Sequence, residues 1–394
     1  MKLRTVLFWM HLTCGVVAGV VIFIMSVTGV LLAYQRQITA WADMHAYRSE
    51  PASDAKRLPA ETLIANVAEA RPDLTPTALV FRAERDAPAS LTVGPGRQLF
   101  VNPYSGRVLG EGNGRQVREV FRIATEWHRY VAMTGARRPT GKAITGAANL
   151  VFLFIVLSGV FLWWPRSWTW TSLRNIVWFR RNLTAKARDF NWHNTIGFWS
   201  AVPLAVIVLG ATVISYPWAT ALVYRAFGEQ PPAAAGAVRS AGSERASATS
   251  REATANEPAA PSVALDVLIA SAESQMPEWK TISVALPQAR SPRVVLTLDA
   301  GDGGQPQKRA TLTLNRQTGA VEQWEPYASQ SPGRRARTWL RFAHTGEVYG
   351  LIGQSLAGAV SLGGAVLVWT GIALALRRLA SARTRGRAAL PKAA

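Results

Sequence analysis

Four of the five histidines in this sequence fall into matched settings that could do metal chemistry. His11 is followed four residues later by Gly15, and His193 by Gly197. His128 follows Trp127 and His344 follows Ala343, each a short way ahead of a long apolar block. Neutral imidazole is the commonest protein ligand for metals. Residues four apart on a helix share a face, so Gly15 and Gly197 would leave room one turn beyond an imidazole. His45, within Asp43-Met-His-Ala-Tyr47, has no such counterpart and reads as an exposed polar histidine.

The elements that must position these residues are four apolar blocks: Val6–Ala33, Ile144–Trp164, Ile196–Trp218 and Leu351–Leu376. None contains Asp, Glu, Lys or Arg. Each exceeds the roughly 18 residues expected of a membrane span. The first runs longer than a signal peptide's apolar region, so it reads as a retained helix. The fold class expected is therefore membrane α-helical, with four transmembrane helices.

Charge gives an orientation. Of the net +20, Lys2 and Arg4 precede the first block, and Arg166, Arg174, Arg180, Arg181, Lys186 and Arg188 fill the loop between the second and third. Arg377, Arg378, Arg383, Arg385, Arg387 and Lys392 follow the fourth. All three segments lie on one side of a four-pass chain, which the positive-inside rule makes cytoplasmic, both termini included. Headgroup contact with the lipid bilayer accounts for the basic balance, and nucleic acid is not a partner.

Two long segments then lie on the far side, and they match in order. One has a helix pattern at Leu58–Ala70, strands at Thr77–Phe81, Ser90–Val93 and Gln98–Val101, and a turn at Asn102-Pro-Tyr-Ser-Gly-Arg-Val108. The other has a helix at Val263–Gln275, strands at Thr281–Leu286, Arg293–Leu298 and Ala310–Leu314, and a turn at Asn315-Arg-Gln-Thr-Gly-Ala-Val321. Glycine supplies positive φ in both turns. The chain thus reads as a tandem parallel repeat of helix, small α+β domain, helix, with pseudo-symmetry about the membrane normal.

The resulting boundaries are a first transmembrane helix at 1–36, a small α+β domain at 37–115, and an interfacial helix plus second span at 116–165. A basic loop at 166–192 leads to the third span at 193–218. A flexible linker at 219–261, richest in Ala, Ser and Pro from Gly228 to Pro261, precedes a second α+β domain at 262–330. An interfacial helix and fourth span occupy 331–378, and a basic tail occupies 379–394.

A pseudo-twofold axis would set His11 opposite His193, and His128 opposite His344. Each pair could supply both axial ligands of one iron porphyrin, a closed site suited to electron transfer. Proton relay and metal transport are the competing readings, because ionisable groups in membrane spans are functional by default. Cys14 stands alone, so disulfides, iron–sulfur ligation and covalent haem attachment through C-x-x-C-H are excluded.

Other features are blander. Most of the fifteen tryptophans read as an interfacial belt, with Trp199 or Trp369 as candidates to pack on a porphyrin. Arg129, Arg137, Arg138, Lys142, Arg334, Arg335, Arg337 and Arg341 gather on the far side, against the positive-inside trend. They could bind propionates, attract an anionic substrate or contact anionic lipid; the substrate-docking set is Arg137, Arg138, Arg334, Arg335, Arg337 and Arg341. Gly301-Asp-Gly-Gly304 reads as a hairpin turn rather than a nucleotide loop.

Together these motifs resemble the PepSY-associated transmembrane helix family, which includes iron-regulated inner-membrane proteins and ferric-siderophore reductases. The resemblance rests on His11-Leu-Thr-Cys-Gly15 with Thr28-Gly29, Trp127-His128, Asn191-Trp-His193 with Gly197, His344-Thr-Gly346 and the two PepSY-like segments. It implies two non-covalent b-type haems, with His11, His193, His128 and His344 as axial ligands. It also implies reduction of iron(III)–siderophore complexes in the periplasm. The chain carries no flavin or NADPH module, so electrons would come from a separate cytoplasmic donor, a flavin- or NADPH-dependent reductase. Two alternatives remain: a non-redox regulatory protein whose PepSY-like domains recognise a peptidase or envelope ligand, and a chelate transporter.

Overall fold

The computed structural model describes residues 3–94, 96–165, 169–232, 262–286 and 291–388. The expected linker lies mostly at 233–261, outside the described residues. The chain divides into two compact units. One holds Met1–Gln35, Arg118–Ala219 and Trp339–Ala394, and the other holds Arg36–Val117 and Thr220–Thr338.

In chain order the helices are α1 Leu3–Leu32, α2 Gln35–Met44, α3 Ala60–Ala70, α4 Arg115–Tyr130, α5 Arg138–Trp163 and α6 Trp170–Val177. They continue as α7 Ala185–Ser215, α8 Pro217–Ala226, α9 Leu265–Gln275, α10 Pro332–His344 and α11 Gly350–Ala388. Four of them, α1, α5, α7 and α11, are long and apolar enough to cross a bilayer, so the chain is a multi-pass membrane protein.

Their main contacts run α1–α5, α5–α7, α7–α11 and α11–α1, a ring in which α1 faces α7 along a diagonal. Lipid offers no hydrophobic drive between helices, so close packing of small residues must supply it. A Cβ on Gly19 would meet Val368 and Ile372 of α11 at 3.3–3.4 Å, and one on Gly364 would meet Ser26 of α1 at 3.1 Å. Between α5 and α7, buried Asn149 donates to the Val208 carbonyl at 3.2 Å and to Thr212 Oγ1 at 2.9 Å. At one end of the bundle Asp189 of α7, only 5% exposed, pairs with Arg377 of α11 at 2.8 Å. At that same end Arg4 of α1 donates to the Leu162 and Trp164 carbonyls at the close of α5, which the helix leaves unpaired.

The second unit is an eight-stranded antiparallel sheet in the order β4-β3-β2-β1-β5-β6-β7-β8. Its strands are β1 Ala78–Arg82, β2 Ala89–Gly94, β3 Arg97–Val101, β4 Val108–Gly110, β5 Thr281–Ala285, β6 Arg293–Asp299, β7 Arg309–Asn315 and β8 Val321–Pro326. The two strand sets that the sequence reading kept in separate domains are joined, because β1 pairs with β5 over Ala78↔Ala285 to Arg82↔Thr281. Alternation sends Leu79, Leu91, Ile282, Val284, Leu296, Leu298, Leu312 and Leu314 into one core with Leu63 and Val67 of α3 and Leu268 of α9. The hairpin expected at Gly301–Gly304 joins β6 to β7, with Asp299 Oδ1 accepting the Gly301 N–H. Both Asn turns form as read: Asn102 Oδ1 accepts from Tyr104 and Ser105 N–H, and Asn315 Oδ1 from Gln317 and Thr318 N–H. Gly106 and Gly319 close them at φ +72° and +73°.

The two sheet helices cap each other. Asp266 of α9 accepts the Ala60 N–H at 3.1 Å, and Glu61 of α3 accepts the Leu265 N–H. Each carboxylate also lies at its own helix's positive end. Replacing a capping acceptor by Ala costs about 0.5–2 kcal/mol. Glu61→Ala and Asp266→Ala should each lower the melting temperature by a few degrees in differential scanning fluorimetry. Glu69→Ala, at the far end of α3, should leave it unchanged.

Candidate functional site: two histidine pairs in the helix bundle

The bundle brings the four histidines together in the two pairs read from the sequence. His11 on α1 and His193 on α7 have ring centroids 6.5 Å apart, with planes at 81°. His128 and His344, at the ends of α4 and α10, have centroids 6.2 Å apart, with planes at 50°. Thr28, which contacts His128, lies seventeen residues beyond His11 on α1. The two sites are therefore about 25 Å apart along that helix.

Every one of the four rings is tied through Nδ1 to a neighbouring helix. His11 Nδ1 meets Ser158 Oγ of α5 at 2.9 Å, and His193 Nδ1 meets Thr370 Oγ1 of α11 at 3.0 Å. His128 Nδ1 meets Thr28 Oγ1 of α1 at 3.0 Å, and His344 Nδ1 meets the Ile207 carbonyl of α7 at 2.8 Å.

These bonds bear on the tautomers. A carbonyl can only accept, so His344 donates from Nδ1. Each hydroxyl has one hydrogen and donates it backwards along its own helix: Ser158 to Ile155 O, Thr28 to Ile24 O and Thr370 to Val366 O. In that arrangement the hydroxyl oxygens are free to accept from the imidazoles. His344 thus carries its proton on Nδ1, and the same assignment satisfies every one of these bonds at the other three rings and leaves Nε2 with its lone pair. This matches the second-shell pattern of metal-bound histidine, whose other nitrogen donates to a fixed acceptor.

Glycines let the rings sit against backbone. A Cβ on Gly159 would lie 3.4 Å from His11 Cε1, and one on Gly371 3.3 Å from His193 Cε1. One on Gly29 would lie 3.6 Å from His128 Cε1. At Gly210 the neighbours are the Leu340 carbonyl and His344 Cβ, the latter 2.9 Å away, so only glycine admits α10 at that depth. The expected glycines differ from one another. Gly15 borders open space within 4 Å, whereas a Cβ on Gly197 would meet Leu367 at 3.6 Å.

The turn after His128 is strained. Val131 and Ala132 take φ of 50° and 55°, with their N–H groups on the Trp127 and Glu126 carbonyls at 3.2 and 3.1 Å. A β-branched residue held there costs about 1–3 kcal/mol. After His344 the corresponding turn uses Gly346 at φ +75°.

Two nitrogen donors per site are too few for a closed tetrahedral ion site. Among the described residues no group of three or more His, Cys, Asp or Glu could hold a metal ion. The pairs suit a metal whose remaining ligands come from a planar macrocycle.

The other expected residues are placed less uniformly. Arg138 pairs with Glu126 at 3.0 Å and covers the Tyr130 ring at 4.2 Å, while Arg334 pairs with Glu325 at 2.6 Å. Arg137 and Arg341 are exposed, and Arg335 and Arg337 half-buried. Trp199 and Trp369 are 61% and 69% exposed, which turns both outward from the bundle. Trp199 donates to the Val177 carbonyl at 3.0 Å, as an interfacial aromatic would. His45 stacks on Trp41, with ring centroids 4.4 Å apart.

Sequence reasoning missed the acceptors Ser158 and Thr370 with their glycines. The available signal was a hydroxyl–glycine dipeptide inside three apolar blocks: Thr28-Gly29, Ser158-Gly159 and Thr370-Gly371.

With the geometry established, comparison with known proteins adds one finding. The family model described as the PepSY-associated TM region matches residues 8–378. No curated protein matches the chain.

The crowding at Gly210 is testable without any cofactor. Gly210→Ala should destabilise the detergent-solubilised protein by about 1–3 kcal/mol, the usual cost of overpacking. Gly358→Ala, whose Cβ would meet Ala33 at an ordinary 3.5 Å, should be neutral or mildly stabilising. Thermal melts of the two variants side by side check the contrast.

Proposed function

The chain belongs to the PepSY-associated transmembrane family, and we propose that it is an inner-membrane electron-transfer protein whose two histidine pairs each hold one non-covalent b-type haem. The observation that supports this reading is the spacing of the rings. A metal–imidazole nitrogen bond of about 2.0 Å, plus roughly 1.2 Å from nitrogen to ring centre, sets two rings sharing one metal about 6.4 Å apart. The observed separations are 6.5 and 6.2 Å. The unprotonated Nε2 of each ring is the donor such a bond requires.

Within this reading the chain is a tandem parallel repeat, with both termini cytoplasmic and the sheet unit, formed from two PepSY-like halves, in the periplasm. His11 and His193 serve the cytoplasmic side, and His128 and His344 the periplasmic side. His11 with His193, and His128 with His344, would each hold one haem by two imidazoles, and the group would supply one-electron transfer with no position left for oxygen. The substrate is the iron(III) of a siderophore complex, reduced to iron(II) with electrons from a separate cytoplasmic flavin- or NADPH-dependent donor. Arg137, Arg335, Arg337 and Arg341, which have no ion pair among the described contacts, are the cations of the expected docking set that can attract an anionic chelate. Arg138 and Arg334 are already neutralised by Glu126 and Glu325.

An absorbance spectrum of detergent-purified protein, before and after dithionite, tests the reading. Two low-spin haems per chain are expected, falling to one in His11→Ala and in His344→Ala, with oxidation of the reduced protein on adding a ferric siderophore. A folded but colourless protein would overturn it.

A further inference from the structure

The hydroxyls of Ser158, Thr370 and Thr28 do more than fill space in apolar helices. Each accepts an imidazole proton at 2.9–3.0 Å while its own hydrogen is committed to a carbonyl one turn back. With its hydrogen on that carbonyl, each hydroxyl offers the ring an acceptor, whereas donating to the opposite tautomer would give up the bond to its own helix. Beside it, the missing side chain of Gly159, Gly371 or Gly29 leaves room for the Cε1 edge of the same ring. Hydroxyl and glycine together set where the ring can sit and which nitrogen is offered an acceptor.

We infer that Ser158, Thr370 and Thr28 are positioning residues that hold the ligating histidines in one tautomer and set the electron affinity of the site. The inference rests on the haem reading above. An acceptor on Nδ1–H raises the basicity of the other nitrogen and so favours the ferric state. Removing the acceptor leaves a weaker donor ligand and shifts the balance toward the ferrous state. Loss of a second-shell partner typically changes metal-site properties 10–100-fold. A tenfold change in relative affinity is about 59 mV for a one-electron couple.

The fourth ring is held differently. His344 donates to the main-chain carbonyl of Ile207 at 2.8 Å, where no side chain can be exchanged. Thr28, Ser158 and Thr370 are thus the three positions at which substitution can release a ring without touching the ring itself.

Thr370→Val keeps the shape and removes the acceptor, whereas Thr370→Ser restores it. Both are best read in the full-length His128→Ala chain, where the His11/His193 haem is the one expected to remain. Potentiometric titration followed by absorbance should give a midpoint about 59 mV higher for Thr370→Val, reversed in Thr370→Ser. Loss of haem from Thr370→Val at unchanged melting temperature, regained in Thr370→Ser, would support the inference equally. Full haem content with unchanged midpoint and spectrum in Thr370→Val would overturn the inference alone. A colourless wild-type chain would overturn the haem reading and this inference with it.

Discussion

An imidazole in a membrane bundle has two nitrogens and few polar neighbours, so the fate of one decides the chemistry of the other. Here each Nδ1 proton is given to an acceptor on an adjacent helix. That arrangement binds α1 to α5, α7 to α11, α4 to α1 and α10 to α7. The bonds that stitch the bundle are therefore the same bonds that offer each Nδ1 an acceptor and favour the tautomer with its lone pair on Nε2. Polar bonds between membrane helices are each worth about 0.6 kcal/mol on average. Four of them stabilise the bundle modestly; their larger effect is on which tautomer and rotamer each ring can adopt.

Small residues make those bonds possible. An imidazole reaches a hydroxyl on the next helix only if the backbones approach closely, and glycine stands against three of the rings at Gly159, Gly371 and Gly29. At the fourth, Gly210 lets α10 settle until His344 meets a main-chain carbonyl. Thr28 lies thirteen residues after Gly15, whereas the position thirteen residues after Gly197 is Gly210 itself, which has no hydroxyl, and the backbone serves in its place.

How far the sequence could be read followed from the range of the forces involved. The four spans were legible because bilayer thickness imposes length and composition on each helix separately. The strands near Val80, Val93 and Leu296 were legible because a one-sided sheet alternates locally. The β1–β5 pairing was not, since Val80 and Ser283 lie far apart in sequence and nothing in either strand names its partner. The reciprocal caps from Asp266 and Glu61 were hidden for the same reason. The histidine pairing was visible through repetition. Ser158 and Thr370 were not, because a hydroxyl in an apolar run ordinarily satisfies itself on its own helix, as these two also do.

Charge is treated differently at the ends of the bundle, and the difference bears on what each end can do. Near the His11 and His193 end, Arg377 is held by buried Asp189, Arg4 by the carbonyls that close α5, and Arg378 by the Phe8 and Trp9 rings at 5.0 and 4.9 Å. These cations are committed to the protein. On α10, which ends in His344, four arginines occur in thirteen residues with no acidic residue, and one of them, Arg334, has an ion pair. Arg337 and Arg341 precede His344 by seven and three residues, so they share its helical face. A helix that keeps positive charge without acidic partners raises the local concentration of anions beside it.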